Sequence, residues 1–135
     1  MIVILGIDTG FFIGYANQHP RATEIWRETT KGAHELIVST LTVNEVFTYF
    51  YKRGLGKSAE SWLLLMQATE MIQLLPVSID IAVLSARYRL GMQLSTVDSL
   101  ILATFLTHGC EKMISSDSDF AIVAQQNILL VELLR

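Results

Sequence analysis

The sequence has little of what disulfide-linked, multidomain or membrane-spanning proteins carry. Cys110 is its only cysteine, so an internal disulfide is excluded and a reducing cytoplasm is compatible with the chain. There are two prolines, and neither marks a domain boundary. The longest apolar stretch, residues 62–77, is interrupted by Gln67, Glu70, Gln73 and Pro76, so it is a poor membrane span. We expect a single domain over residues 1–135 that is cytoplasmic and has no membrane partner.

Positive charge is also scarce. Ten Lys and Arg residues face thirteen Asp and Glu residues, and the net charge is −3. This balance gives no general signature of nucleic-acid binding, although a carboxylate-rich site would hide local basic patches in the sum. With 51% hydrophobic and 17% charged residues, the chain has enough apolar surface for a core and is not typical of a disordered protein.

Apolar runs alternate with helical patterns along the chain. Strands are predicted at residues 2–7, 35–39, 112–115 and 128–131, and helices at residues 11–17, 21–31, 42–53, 58–74, 79–90, 95–108 and 119–126. Such alternation favours a parallel sheet with helices on both faces. The predicted fold class is therefore α/β, a three-layer α/β/α sandwich with a mostly parallel central sheet of four to five strands.

Four carboxylates stand at the starts of predicted helices, and three of them follow a predicted strand: Asp8, Glu45, Asp98 and Asp117. Because ligand crevices form at the carboxyl ends of parallel strands, residues distant in sequence could meet there. Four like charges at one place need a cation, and oxygen ligands suit Mg²⁺ or Mn²⁺. The alternative for each acid is a helix-capping role, since Glu45 and Asp98 close capping-box patterns that begin at Thr42 and Ser95.

Asp98 differs from a simple capping residue in its neighbours. It shares a helical face with Ile101, Leu102 and Phe105, and a carboxylate on an apolar stripe needs a partner. After the third predicted strand, Asp117 and Asp119 lie two residues apart among serines, and Asp117 is nearer the strand end. Either could cap a helix or bind a cation.

Four segments resemble the motifs of the PIN domain family, and within it the VapC-like toxin nucleases. They are residues 7–13 (IDTGFFI), 41–46 (LTVNEV), 94–104 (LSTVDSLILAT) and 115–120 (SSDSDF), of which the third is the most specific. Gly10 and Ser99 depart from the commonest residues at their places, but neither removes an acid. The resemblance implies a ribonuclease that depends on Mg²⁺ or Mn²⁺, with Asp8, Glu45, Asp98 and Asp117 as its catalytic and metal-binding cluster.

The same resemblance implies supporting roles for Thr9 and Ser115, and it makes Asp119 an additional candidate metal ligand. One or two metal ions would hold the scissile phosphate, lower the pKa of a water molecule and stabilise the leaving oxygen. The products implied are a 5′-phosphate and a 3′-hydroxyl.

Basic residues and apolar helices point to partners. Lys52, Arg53 and Lys57 cluster between two predicted helices, and Arg87 and Arg89 lie on the helix before the third motif. They are candidate RNA-phosphate contacts, and the alternative for both groups is a solvated face. The apolar helix around residues 62–72 packs in the core or, as the resemblance implies, binds a small antitoxin or a second copy of the chain in a homodimer.

Two other functions stay open at this point. A non-catalytic RNA-binding or assembly module of the same fold is favoured by the net acidity. An RNA-processing nuclease without an antitoxin is an alternative to the toxin. A phosphotransfer or phosphatase domain with Asp8 as nucleophile is the third possibility.

Overall fold

A computed structural model of the chain describes residues 2–135, in which five strands alternate with seven α-helices. The strands are β1 (Val3–Ile7), β2 (His34–Ser39), β3 (Ile72–Leu75), β4 (Lys112–Ser115) and β5 (Leu130–Leu133). The helices are α1 (Thr9–Ala16), α2 (Pro20–Thr30), α3 (Thr40–Tyr51), α4 (Gly56–Ala68), α5 (Ile79–Met92), α6 (Thr96–Thr107) and α7 (Ala121–Gln125), and a 3₁₀ turn at Ser118–Phe120 precedes α7.

The sheet is parallel throughout and has the order β3-β2-β1-β4-β5. The chain adds β2 and β3 on one side of β1 and then crosses to add β4 and β5 on the other side. The boundary between β1 and β4 is therefore the point at which strand order reverses, where ligand crevices form in sheets of this kind. The predicted α/β fold class is confirmed, with five strands.

Two hydrophobic cores cover the two faces of the sheet. Leu5 and Ile7 of β1 belong to the core that α1 to α4 complete, whereas Ile4 and Met113 lie with residues of α5, α6 and α7. This alternation follows from the period of two along a strand, since successive side chains point to opposite faces. Helices on both faces make the predicted three layers.

Gly6 allows α6 to approach the central strand. A Cβ atom at Gly6 would lie 2.4 Å from Cγ of Phe105, whose ring is fully buried. We expect Gly6→Ala to lower the free energy of unfolding by about 1–3 kcal/mol, because the ring cannot retreat within a packed core. Urea unfolding with fluorescence detection measures this change.

Gly91→Ala is the matched control for Gly6→Ala. Gly91 lies inside α5, and a Cβ atom there would meet nothing within 4 Å. Alanine is the better helix former, so this variant should gain up to about 1 kcal/mol. A Gly6→Ala variant as stable as the wild type would contradict the close approach of Phe105.

The structure corrects several predicted boundaries, including the starts of α1 and α3, which lie two residues earlier than predicted. The predicted helix 58–74 is wrong after residue 68, because α4 begins at Gly56 and ends at Ala68 and residues 72–75 form β3 beside β2. Helix α5 extends two residues beyond its predicted end at residue 90, to Met92, and the following residue, Gln93, takes the left-handed conformation with φ +55°. The last strand lies two residues later than predicted, at Leu130–Leu133.

Helices α5 and α6 form a tightly bent pair with an angle of 119° between them. Within residues 2–135, no single helix is long and apolar enough to cross a membrane. Helices α5 and α6 reach the required length and hydropathy only when they are counted together. Much of α6 is buried, including Ile101, Leu102 and Phe105. The stripe that carries Asp98 is therefore part of the core.

Candidate active site

The four predicted acids surround one crevice at the carboxyl edge of the sheet. Its volume is about 200 Å³, and Asp8, Glu45, Asp98 and Asp117 all contribute to its wall together with Thr9. They come from the ends of β1 and β4 and from helices α3 and α6. The sheet topology thus brings together residues that are more than 100 positions apart in the chain.

Asp8 is the buried acid of the crevice, with 6% of its surface exposed. It ends β1 and caps α1, where its Oδ1 accepts a hydrogen bond of 3.4 Å from the Phe11 N–H. The Ser115 hydroxyl donates to its Oδ2 at 2.5 Å. Burial nevertheless raises the pKa of Asp8 to about 6. The hydrogen bonds therefore only partly compensate the cost of burying its charge.

Glu45 does not cap a helix, contrary to one of its predicted readings. The N-cap of α3 is Ser39, whose hydroxyl accepts from the Leu41 N–H at 3.1 Å, so the predicted capping box from Thr42 to Glu45 is wrong. Glu45 is the sixth residue of α3, and its Oε1 accepts a hydrogen bond of 2.8 Å from the Thr9 hydroxyl. Its position in the crevice wall is therefore not explained by capping.

Asp98 stands in the first turn of α6, which Ser95 caps as predicted by accepting from the Asp98 N–H at 3.1 Å. The Asp98 side chain is half-buried. Burial raises its pKa, the Ser95 hydroxyl opposes that rise, and the charges of the neighbouring acids add to it. The Asp98 carboxylate therefore repels its neighbours in the metal-free protein.

The loop after β4 connects the acids to one another. The Ser115 hydroxyl, which donates to Asp8, accepts from the Asp117 N–H at 2.9 Å. Asp117 caps the 3₁₀ turn, and its Oδ1 accepts from the Asp119 N–H at 2.9 Å. Thr9 and Ser115 thus orient Glu45 and Asp8, which agrees with the supporting positions that were predicted for them; their part in catalysis stays a prediction.

Three carboxylates fit a hard cation by their donor atoms and spacing. One oxygen each from Asp98, Asp117 and Asp119 lies within 4.8 Å of the others. Oxygen donors alone suit magnesium or manganese better than zinc. Asp8 and Glu45 complete the same crevice wall.

Of the predicted basic residues, Lys52 and Arg53 lie near the acids. They line a second groove of about 550 Å³, which shares Thr9, Ile13 and Glu45 with the acidic crevice. Sequence reasoning missed Tyr49, which lines this groove one helical turn before Arg53. The sequence feature that could have identified Tyr49 is an aromatic residue four positions before an arginine.

The other predicted basic residues are not brought to the crevice. Lys57 is exposed in the first turn of α4, and Arg87 is exposed on α5. Arg89 lines a separate groove of about 440 Å³ between α5 and α6 that contains none of the four acids. RNA contacts by these three residues stay predictions without support from their position.

Gly10 departs from the motif for a local reason. A Cβ atom there would lie 2.1 Å from Oγ and 2.9 Å from the backbone nitrogen of Ser116. We expect Gly10→Ala to displace the loop that carries Ser115 and Asp117 and to lower the affinity of the crevice for a divalent metal by roughly 10–100-fold. The melting temperature and a metal titration of the variant measure the displacement, and an unchanged metal affinity would contradict it.

The model of the PIN domain family matches residues 6–126, so the chain belongs to the PIN domain family. The predicted family resemblance is confirmed. No curated protein sequence is significantly similar to the chain.

Solved structures share its fold. VapBC2 from Rickettsia felis, bound to a DNA fragment from its promoter, is 13% identical with a TM-score of 0.77, covering 98% of this chain and 100% of that one. VapC20 from Mycobacterium tuberculosis, a Sarcin-Ricin loop cleaving toxin, is 16% identical with a TM-score of 0.71 and coverages of 88% and 94%. A toxin–antitoxin complex from Klebsiella pneumoniae is 24% identical with a TM-score of 0.68 and coverages of 87% and 90%.

Proposed function

We propose that the protein is a cytoplasmic, metal-dependent endoribonuclease that forms a single nuclease domain and is the toxin of a type II toxin–antitoxin pair. The observation that carries this proposal is the convergence of Asp8, Glu45, Asp98 and Asp117 on one crevice, with the charge of buried Asp8 only partly compensated. Membership of the PIN family and the toxin structures that share the fold support it.

Each polar residue of the crevice has a defined task in this proposal. Asp98, Asp117 and Asp119 would hold Mg²⁺ or Mn²⁺, with Asp8 as the buried acid behind them. A bound divalent ion would neutralise the scissile phosphate and make a nearby water more acidic. The Thr9 hydroxyl engages Oε1 of Glu45, which leaves Oε2 to accept a hydrogen bond from a water molecule.

RNA is the proposed substrate because a groove lined by cations adjoins the acidic crevice. Lys52 and Arg53 border the groove that leads from Glu45, where they could contact phosphates on one side of the cut. A bound divalent ion would offset the negative charge of the crevice, so that the anionic substrate phosphate could approach the acids.

Protein partners are supported by apolar side chains on two helices. Leu64 and Leu65 of α4 are exposed, as are Ile79, Val83 and Leu90 of α5. Exposed apolar patches of this kind mark interaction sites. We assign them to a small antitoxin and to a second copy of the chain in a homodimer.

The test is cleavage of a panel of single-stranded and structured RNAs with Mn²⁺, Mg²⁺ or EDTA. We expect cutting only with a divalent metal. Asp98→Asn, purified in parallel, controls for contaminating nucleases. Equal cutting in EDTA, or by that variant, would contradict the proposal, whereas tight RNA binding without cutting and without metal would favour a non-catalytic RNA-binding module.

The phosphotransfer function is disfavoured by the surroundings of Asp8. Both of its carboxylate oxygens accept hydrogen bonds from Phe11 and Ser115, and the side chain is buried. A nucleophile needs an accessible oxygen. Covalent labelling of Asp8 by a phosphoryl analogue would reverse this conclusion. A gene for a small DNA-binding protein adjacent to the gene for this chain would favour the toxin function over RNA processing.

A further inference from the structure

A polar groove follows one face of α3 away from the acids. Its wall includes Asn44, Thr48, Tyr49, Lys52 and Arg53, which recur at helical spacing. From Glu45 to its last residue, Tyr51, the helix axis advances by about 9 Å, and Lys52 and Arg53 follow directly after the helix end. Because Thr9, Ile13 and Glu45 line both spaces, the groove is continuous with the acidic crevice.

Arg53 is held in place although it is exposed. Its guanidinium carbon lies 3.5 Å from the centroid of the Tyr49 ring, and its Nη1 donates a hydrogen bond of 2.9 Å to the Tyr49 carbonyl oxygen. The half-buried tyrosine therefore supports one face of a flat cation at the groove wall. Such pairing restricts the rotamers that an exposed arginine would otherwise sample.

Flat cations and aromatic rings are the groups on which unpaired bases stack in protein–RNA complexes. Lys52, next to Arg53 on the same groove wall, supplies the charge that a phosphate needs. A base-paired strand could not stack in this way, since its bases are already stacked within the duplex. The combination at the far end of the groove therefore fits one unpaired nucleotide.

We propose that this groove is a nucleotide subsite, in which a base flanking the scissile phosphate stacks on the guanidinium of Arg53 backed by Tyr49 while Lys52 contacts its phosphate. The inference rests on the proposed ribonuclease function and deepens it by naming the substrate feature that is read. The guanidinium of Arg53 is held at Tyr49, about one helical turn along α3 from Glu45, which places the contacted base next to the nucleotide that is cut. The enzyme should therefore require a single-stranded flank on one side of its cleavage site.

The test measures kcat/KM on an RNA oligonucleotide with one cleavage site and on copies in which one flanking nucleotide is abasic. Removal of the base at one particular position should reduce wild-type kcat/KM about tenfold. Arg53→Ala and Tyr49→Ala should cut intact and abasic RNA equally well, and Tyr49→Phe should behave as the wild type. Arg53→Lys keeps the positive charge but loses the planar guanidinium group, so this variant should also cut intact and abasic RNA equally well.

Arg27→Ala is the matched control for loss of one positive charge. Arg27 is exposed near the end of α2, just before β2 begins at the amino edge of the sheet, opposite the crevice. This variant should keep the wild-type discrimination. If Arg53→Ala discriminates as strongly as the wild type, the subsite is refuted while the nuclease stands.

Binding measurements distinguish failure of the subsite from failure of the nuclease. If the wild type does not cut, fluorescence anisotropy with the same intact and abasic oligonucleotides provides the readout. Weaker binding of one abasic copy, lost in Arg53→Ala, would support the subsite in a protein that is not a nuclease. Equal binding of all copies, or no binding, would overturn it.

Discussion

Asp98→Asn should lose at least about 100-fold of the metal-dependent RNA cleavage, because changes to groups that merely orient a metal ligand already cost 10–100-fold. Asparagine keeps the shape of the side chain but removes the charge that lies beside Asp117 and Asp119. The cap of α6 survives, since Ser95 accepts from the backbone N–H of residue 98. The loss should therefore appear in kcat and in metal affinity, measured by single-turnover cleavage and calorimetric titration, and not in folding.

Asp80→Asn is the matched control, because Asp80 also stands in the first turn of a helix, α5, and is exposed. Both variants lose one carboxylate at a helix N-terminus, so any effect of the helix dipole is shared. Asp80→Asn should cut RNA and bind metal as the wild type does. Full activity in Asp98→Asn would mean that the acidic crevice is not the site of the reaction.

The parts of the site that the sequence predicted are those fixed by local signals. An apolar run followed by an acid and a helix start locates Asp8 and Asp117 at strand ends, and a parallel sheet brings such ends to one edge. The Ser95 cap is likewise a short-range pattern. These signals were enough for the fold class and for the convergence of the acids.

Long-range contacts decided the remainder. Residues 72–75 continue an apolar pattern that local periodicity cannot assign, and pairing with β2 makes them a strand. Thr42 and Glu45 have capping-box spacing, but the chain enters α3 directly from β2 at Ser39. The hydrogen bond from Ser115 to Asp8 joins residues 107 positions apart, and the groove at Tyr49 depends on how α1 packs on α3. None of these is visible in a short window of sequence.

Asp8→Asn should stabilise the metal-free protein at neutral pH. Burial raises the pKa of Asp8 from its ordinary value of 3.8 to about 6, so the native state binds this proton more tightly than the unfolded state does. The stability contributed by that proton is present below pH 3.8 and is lost as the pH rises through about 6. A shift of about two pKa units corresponds to about 3 kcal/mol, an order-of-magnitude figure.

Asparagine does not ionise, so Asp8→Asn should not lose stability as the pH rises through about 6. Its side-chain oxygen can still accept from the Phe11 N–H, and its amide can donate to the Ser115 hydroxyl oxygen. The difference in unfolding free energy between variant and wild type should be small at pH 4 and reach about 2–3 kcal/mol at pH 8. Urea unfolding in EDTA across this pH range measures it.

Metal should remove most of this difference in stability. Saturating Mn²⁺ stabilises only a protein that binds it, by about 2.7 kcal/mol at 100 times the dissociation constant. The wild type should gain this and cut RNA, whereas Asp8→Asn should gain less and cut little. If Asp8→Asn is instead the less stable protein at pH 8 in EDTA, Asp8 serves mainly as the cap of α1. A residue that only caps α1 should stabilise the metal-free protein. A carboxylate that destabilises the metal-free protein but is needed when the ion binds acts as a metal ligand, so the comparison in EDTA and in Mn²⁺ distinguishes the two roles.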